Sequence, residues 1–385
     1  MKFGLFFPVV FASGSVLFSC TKDNTDTDVK QNDIAVIDGK ITAWMTANGM
    51  PGASLAISRN GKLVYRKGYG VTDPASGEKV AVDSRFRMAS VSKTITSAAI
   101  LKLVQDGKLS LNQKVFGAGA ILGTTYGTQP YKTYVTDITV DHLLHQTFGG
   151  WGTNAPGDPA FYDSSMSHTA LINWTLDNNP LVNAPGTTYR YSNFGFILLA
   201  RIIEKVSGKT YEDYVKTDIL NPLGAVNTFI AGNNAAQRKT NEVTYKGQAG
   251  DIPYVYALYN YSRADGAFGW ISTPTDMLRF LTAIDSSATR PDLLNGATLK
   301  TMVTTTAANV YYGCGWAVEG PEWYWFGSLP GTASVIYRNS NGLCVSFVAN
   351  SRLQPDPNNA LNGIAGIINE INTNTAIKWQ NIDQF

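Results

Sequence analysis

Ala53-Ser-Leu-Ala-Ile-Ser-Arg-Asn-Gly-Lys-Leu-Val-Tyr-Arg-Lys67 contains two strand-like runs, Ala53–Ser58 and Lys62–Lys67, joined across Asn60-Gly61. Asn-Gly between such runs is a strong hairpin signal, because both residues accept the positive φ that a tight turn requires. The two strands are therefore antiparallel neighbours. Upstream, Asp33–Asn48 carries Ile34, Val36, Ile37, Ile41 and Met45 at helical spacing and ends at Gly49, a suitable C-terminal stop. Downstream, a turn-rich loop at Asp73-Pro-Ala-Ser-Gly77 leads to Arg87-Met-Ala-Ser-Val-Ser-Lys93, which opens a run with apolar helical spacing that stops near Gly107.

The middle of the chain reads as helices between long polar loops: Thr139–Gln146, His168–Asp177, Asn193–Val206, Tyr211–Asp218 and a start at Thr273-Pro-Thr-Asp276. Strand-like text returns at Tyr312–Val318, Glu322–Gly327, Thr332–Arg338 and Leu343–Asn350, with Asn339-Ser-Asn-Gly342 as a turn, and a terminal helix covers about Asn358–Ile371. This order predicts an α+β fold. Its parts are an antiparallel sheet flanked by the N- and C-terminal helices and a mostly helical lobe. The reading places one domain at 33–375, with a sheet lobe from 33–99 and 264–375, a helical lobe from 100–263, and a cleft where they meet.

The net charge of +2 gives no reason to invoke nucleic acid. The N-terminus reads as a targeting segment. Lys2 precedes an apolar run from Phe3 to Phe18 that is short and broken by Ser and Gly, unlike a membrane span. It closes on Leu17-Phe-Ser-Cys20, which looks like a lipobox whose Cys20 is lipidated; an ordinary cleaved signal peptide is the alternative. Thr21 to Gln31 is polar and reads as a tether. The expectation is an exported protein, lipid-anchored in the cell envelope on a periplasmic or surface face. Cys314 and Cys344 lie in strand-like text and are expected to be buried thiols rather than a bridge.

Two short patterns carry chemistry. Ser-x-x-Lys occurs three times, at Ser19–Lys22, Ser76–Lys79 and Ser90–Lys93, and only the last opens an amphipathic helix. Residues three apart share a helix face, so the Lys93 amine can reach the Ser90 hydroxyl. Tyr-x-Asn occurs at Tyr337–Asn339, a strand exit, and at Tyr191–Asn193, which follows Pro185-Gly186 and opens an apolar helix. Tyr191 there can share a proton with Lys93, and Asn193 can orient a substrate. Taken singly, each pattern fits a helix cap and a solvated or core side chain at least as well. His142 and His145, at i, i+3 spacing, have no third ligand at metal-site spacing and read as structural.

Together with their flanks, these patterns resemble the β-lactamase-related serine hydrolases: class C β-lactamases, DD-peptidases, D-amino-acid peptidases and family VIII carboxylesterases. The matching text is Arg85-Phe-Arg-Met-Ala-Ser-Val-Ser-Lys-Thr94, Ile138–Thr147 with Gly149, Pro185-Gly-Thr-Thr-Tyr-Arg-Tyr-Ser-Asn-Phe-Gly195, Asn221-Pro-Leu-Gly224, Asp265-Gly266 with Ser272–Asp276, and Tyr312-Gly-Cys-Gly-Trp316. The resemblance implies Ser90 as nucleophile, Lys93 and Tyr191 as the base system, Asn193 as acyl-orienting residue, and the Ser90 and Ser328 amides as oxyanion hole. It calls for no metal or cofactor. The third motif departs from the common Lys-Thr-Gly or His-x-Gly: Trp325-Phe326-Gly327 stands there, followed by Ser328. Indole is a donor only and brings no charge. Leu361 falls near the place of an Arg that helps hold a substrate carboxylate in class C enzymes. A cation-free, aromatic third motif implies an esterase-like preference for neutral substrates. A D-amino-acid peptidase, DD-carboxypeptidase or β-lactamase, and a catalytically weak ligand-binding relative, stay as alternatives.

Overall fold

The computed structural model describes residues 34–153, 157–247, 259–287, 289–352 and 357–385. Within Asn32–Phe385, which forms one compact unit, the first helix is α1 (Ala35–Ala47). Strands β1 (Gly52–Arg59) and β2 (Lys62–Asp73) follow as the expected hairpin, with Asn60 at φ 49° and Gly61 at φ 75°. Positive φ at both central residues matches the right-handed twist of the flanking strands. Two short strands, β3 (Glu78–Lys79) and β4 (Phe86–Arg87), lead to α2 (Ser92–Gln105). Helices α3 (Val140–Leu144), α4 (His168–Asn178), α5 (Phe194–Ser207) and α6 (Tyr211–Tyr214) belong to the middle of the chain. The text read as one helix over Tyr211–Asp218 divides: α6 ends at Tyr214 and a π-type segment, Val215–Leu220, continues it.

Strands β5 (Phe229–Ile230) and β6 (Trp270–Ser272) bracket α7 (Asp265–Phe268), and α8 (Pro274–Leu281) and α9 (Gly296–Val303) follow. Helix α8 starts as its text predicts, with Pro274 in the first turn and the Thr273 side chain accepting from the Asp276 amide at 3.1 Å. The chain closes with β7 (Ala317–Glu319), β8 (Glu322–Leu329), β9 (Thr332–Arg338), β10 (Leu343–Ala349) and α10 (Pro357–Thr373).

Among the described residues, seven strands form one antiparallel sheet in the order β3-β2-β1-β10-β9-β8-β7. The C-terminal strands thus pair directly onto the N-terminal hairpin, Ala53 opposite Ala349 and Arg59 opposite Leu343. Everything between is an excursion from one sheet, which is the α+β plan expected. One face is covered by α1 and α10: Ile37, Ile41 and Trp44 meet Leu55, Ile57 and Phe347, and Ile364, Ile368 and Ile371 complete that core. The Trp44 edge stands on Phe347 at 5.3 Å. The other face carries Ala56, Ile336 and Val348 into a larger core with α2, α5 and α8. Helix α2 runs across position 99/100, where the sequence reading divided the lobes. A second sheet, β4-β6-β5, was not foreseen; its strands have two or three residues each and offer no periodicity to read.

Of the strand expected over Tyr312–Val318, only Ala317–Glu319 forms. Gly315 explains the break. It sits at φ 79°, and a Cβ there would lie 2.2 Å from Ser97 Oγ, so the segment is folded down against α2. Cys314 and Cys344 are both free and buried, as expected.

Candidate active site

The turn that presents Ser90 is strained. Ala89–Val91 forms a single 3-10 turn ahead of α2, and Ala89 has φ 46°. A residue with a Cβ in that region costs about 1–2 kcal/mol, which the surroundings must hold in place. They do so from β9 and β8. Thr332 Oγ1 donates to the Arg87 carbonyl and Ser334 Oγ to the Met88 carbonyl, both at 2.7 Å. Gly327 leaves room for them: a Cβ there would lie 2.3 Å from Met88 O and 2.9 Å from the Ala89 Cβ. Gly327 is thus the close-approach residue between β8 and the nucleophile turn.

One helical turn on, Lys93 is fully buried. Its Nζ lies 3.1 Å from Ser90 Oγ, 2.6 Å from Asn193 Oδ1 and 2.9 Å from the Ala267 carbonyl. Burial pushes its pKa down to about 7, partly opposed by Asp158. Two of the three partners can only accept. A neutral amine has two N–H groups for those two and a lone pair for the Ser90 proton. The Tyr191 hydroxyl donates to Ser90 Oγ at 2.7 Å from the other side. Burial raises the Tyr191 pKa, with Tyr189 and Asp158 adding to it and the Ser90 and Trp325 contacts opposing it. Tyr191 is therefore held as a neutral donor, and Lys93 is the group able to lose a proton near neutral pH.

The structure thus brings Ser90, Lys93, Tyr191 and Asn193 to one point from the turn ahead of α2, α2 itself and the segment leading into α5. Asn193 makes no side-chain cap on that helix. Its Oδ1 takes the Lys93 bond and its Nδ2 donates to Asp158 Oδ2 at 3.0 Å.

Asp158 was not foreseen. It is buried and accepts from the amides of Asn193 at 2.5 Å, Phe194 at 3.1 Å and Ala160 at 3.0 Å. Burial raises its pKa against these bonds. Asp158-Pro159 is a readable helix start, but nothing in the text ties it to a residue 35 positions on. Gln146 is a second unforeseen residue. At φ 57°, it accepts the Ser192 amide on its side chain and the Arg190 amide on its carbonyl at 2.9 Å, and it donates to the Tyr312 hydroxyl at 2.7 Å. It ties the Tyr191 segment to the loop before β7.

Trp325 lies in β8 with 6% of its surface exposed. Its ring packs 5.9 Å from Tyr191 and edge-on to Tyr312 at 5.1 Å. Most of the aromatic residues near it in sequence are core: Tyr312, Trp316 and Trp323 are buried, and Tyr311 is exposed. The cation-free third motif is corrected at one point. Arg352, just past β10, places Nη1 3.4 Å from Ser328 Oγ. Its number is distant from the motif, but β10 and β8 both flank β9, which brings it back. Leu361 falls within α10. The two histidines are built into the fold. His142 completes a capping box with Thr139, and the His145 ring stands between Asp141 Oδ1 at 3.1 Å and the Thr304 carbonyl at 3.0 Å.

An antiparallel sheet under helices, with a serine, a buried lysine and a tyrosine converging in the cleft, defines the serine hydrolases of the penicillin-recognising type. The family model described as Beta-lactamase matches residues 37–366, and the chain belongs to that family. Protein flp of Staphylococcus aureus (strain MRSA252) is 32% identical over 222 residues, covering 57% of this chain and 42% of that protein. The chain thus matches less than half the length of that relative. The octameric penicillin-binding protein homologue from Pyrococcus abyssi superposes with a TM-score of 0.70 at 23% identity, covering 88% of this chain and 78% of that one. The D-amino acid amidase from Ochrobactrum anthropi SV3 gives 0.69 at 21% identity, covering 88% and 99%. At these identities the two structures speak for the fold.

Proposed function

We propose that this protein cleaves an ester or amide bond through an acyl-enzyme on Ser90. The observation that carries the reading is the convergence of the Lys93 amine and the Tyr191 hydroxyl on Ser90 Oγ, at 3.1 and 2.7 Å. Neutral Lys93 takes the Ser90 proton as Oγ bonds to the carbonyl carbon. The Ser90 and Ser328 amides receive the developing oxyanion, such donors being worth about 3 kcal/mol each. Tyr191 passes its proton to the leaving group, and the Lys93 ammonium returns one through the same site. Water then releases the acyl group with Tyr191 or Lys93 as base. Intact-protein mass spectrometry after exposure to a fluorophosphonate, a penicillin and an activated ester tests this. A stoichiometric adduct on the Ser90 peptide is expected with the fluorophosphonate, and no adduct with any of the three sinks the reading.

Substrate class turns on two residues. Trp325 replaces the usual cation, which supports the esterase-like preference for neutral groups. Arg352 supports a second reading, a carboxylate-bearing amide such as a short D-peptide, in keeping with the fold shared with a D-amino acid amidase. Arg352→Gln decides between them. If the guanidinium receives a substrate carboxylate, kcat/KM for D-Ala-D-Ala peptides should fall about 10- to 100-fold, the worth of a hydrogen bond to a charged group. Turnover of p-nitrophenyl butyrate should stay within about twofold. An equal effect on both leaves the neutral-ester reading in place.

The location expected from Leu17-Phe-Ser-Cys20 is also proposed: an exported protein, lipid-anchored through Cys20. These residues lie outside the described residues; among the described ones no helix is long and apolar enough to cross a membrane. Wild-type protein from a native-type host should partition with membranes and lose that partition on Cys20→Ala. Soluble, unlipidated wild-type protein would count against the anchor.

A further inference from the structure

Trp325 carries a polar group that the reaction as drawn leaves idle. Packing against Tyr191, Tyr312 and Phe326 accounts for its ring but not for its N–H. That N–H is buried and, among the described residues, closes no hydrogen bond at rest, although the Trp325 contact with Tyr191 already favours charge on the Tyr191 oxygen. A buried donor without an acceptor is costly and asks for an explanation. The Trp316 and Trp323 N–H groups are unpaired as well, but of the three rings only Trp325 packs on Tyr191.

We propose that the Trp325 N–H donates to the Tyr191 oxygen during turnover and makes Tyr191 a stronger acid toward the leaving group. This rests on the Ser90 acyl-enzyme reading above. As the bond from the acyl carbon to the leaving atom breaks, its electron pair goes to that atom, which takes the Tyr191 proton. The Tyr191 oxygen then holds negative charge until the proton that Ser90 gave to Lys93 comes back. Ser90 Oγ, which accepts the Tyr191 proton at rest, cannot stabilise that charge, because it has become an ester oxygen with no proton to give. Two N–H groups of the Lys93 ammonium are engaged by Asn193 Oδ1 and the Ala267 carbonyl, and the third, on the Ser90 side at 3.1 Å, is the proton that returns. Tyr189 and Asp158 act against charge on Tyr191, whereas Trp325 acts in its favour. An indole brings no charge to this motif but retains the one property the step needs, a fixed and buried donor.

The test uses esters of one acyl group with different alcohols. p-Nitrophenolate leaves without a proton, whereas ethoxide needs one. In Trp325→Phe, kcat for the ethyl ester should fall about 10- to 100-fold, the range for a hydrogen bond to a charged oxygen. The p-nitrophenyl ester should lose less than about threefold, with KM steady for both. Trp325→His, which keeps a ring N–H, should recover most of the loss. If Trp325→Phe does not fold, β-(3-benzothienyl)alanine placed at 325 keeps both rings and removes only the N–H. Equal losses for the two esters, or none for the ethyl ester, overturn the proposal. Fluorophosphonate labelling of the wild type separates the cases: no label on Ser90 removes the underlying reading, while a label with a flat leaving-group response removes this inference alone.

Discussion

Ser90→Ala should remove both covalent labelling and turnover, by about 10⁴-fold or more, as loss of the nucleophile does in serine hydrolases. The fold should survive. The substitution adds no atoms to the strained turn, and Lys93 keeps Asn193 Oδ1 and the Ala267 carbonyl as partners. A circular-dichroism melt should move by only a few degrees, about what a buried hydroxyl contributes. Ser76 provides the control, because it heads the other Ser-x-x-Lys outside the targeting segment. It is exposed, and its hydroxyl makes local turn bonds, donating to the Asp73 carbonyl at 3.4 Å and accepting the Glu78 amide at 3.3 Å. Ser76→Ala should label and turn over like the wild type. A dead Ser76→Ala with an active Ser90→Ala would place the nucleophile elsewhere.

The fold was legible where local rules and burial agree. Asn60-Gly61 determined the hairpin because its backbone demand is local. Phe194–Ser207 could be read as a helix because its apolar run ends at Gly208, which takes the left-handed conformation at φ 71°. Tyr312–Val318 misled for the opposite reason. Its aromatic text looks like a strand, but Gly315 fits only a close approach to α2, a partner far away in the chain. The short strands β4, β5 and β6 were invisible because their pairing is set by tertiary contacts and not by alternation.

The site divides along the same line. Ser90–Lys93 spacing and the Tyr191–Asn193 pattern could be found in the text because each is local to a turn or helix start. Ala89 strain, the need for glycine at 327, the burial of Lys93 and the role of Asp158 could not. Each depends on what another segment places against it. Arg352 is the instructive case. Motif-by-motif reading looked for a cation at Trp325 and near Leu361. The sheet order brings one from the end of β10, a place the motif comparison does not visit.

The two groups on Ser90 Oγ should separate by pH. Lys93 is pushed down to about 7 by burial, while Tyr191 is pushed upward. If neutral Lys93 is the base for acylation, kcat/KM should be low where it is protonated. It should rise tenfold per pH unit below about 7 and level off above, since Tyr191 stays protonated across that plateau. Lys93→Ala should lower the plateau by about 10² or more, the usual worth of a general base, and should erase the acid limb. Tyr191→Phe should lower the rate by a similar factor but keep that limb, because the ammonium still has to lose its proton. Since both belong to one proton relay, in which the Ser90 proton taken by Lys93 replaces the one Tyr191 gives away, the double variant should be scarcely slower than the worse single one. An acid limb that persists in Lys93→Ala assigns the titration to another group. Multiplying losses in the double variant would mean that Lys93 and Tyr191 work on separate steps, with Lys93 serving acylation and Tyr191 the release of the acyl group by water.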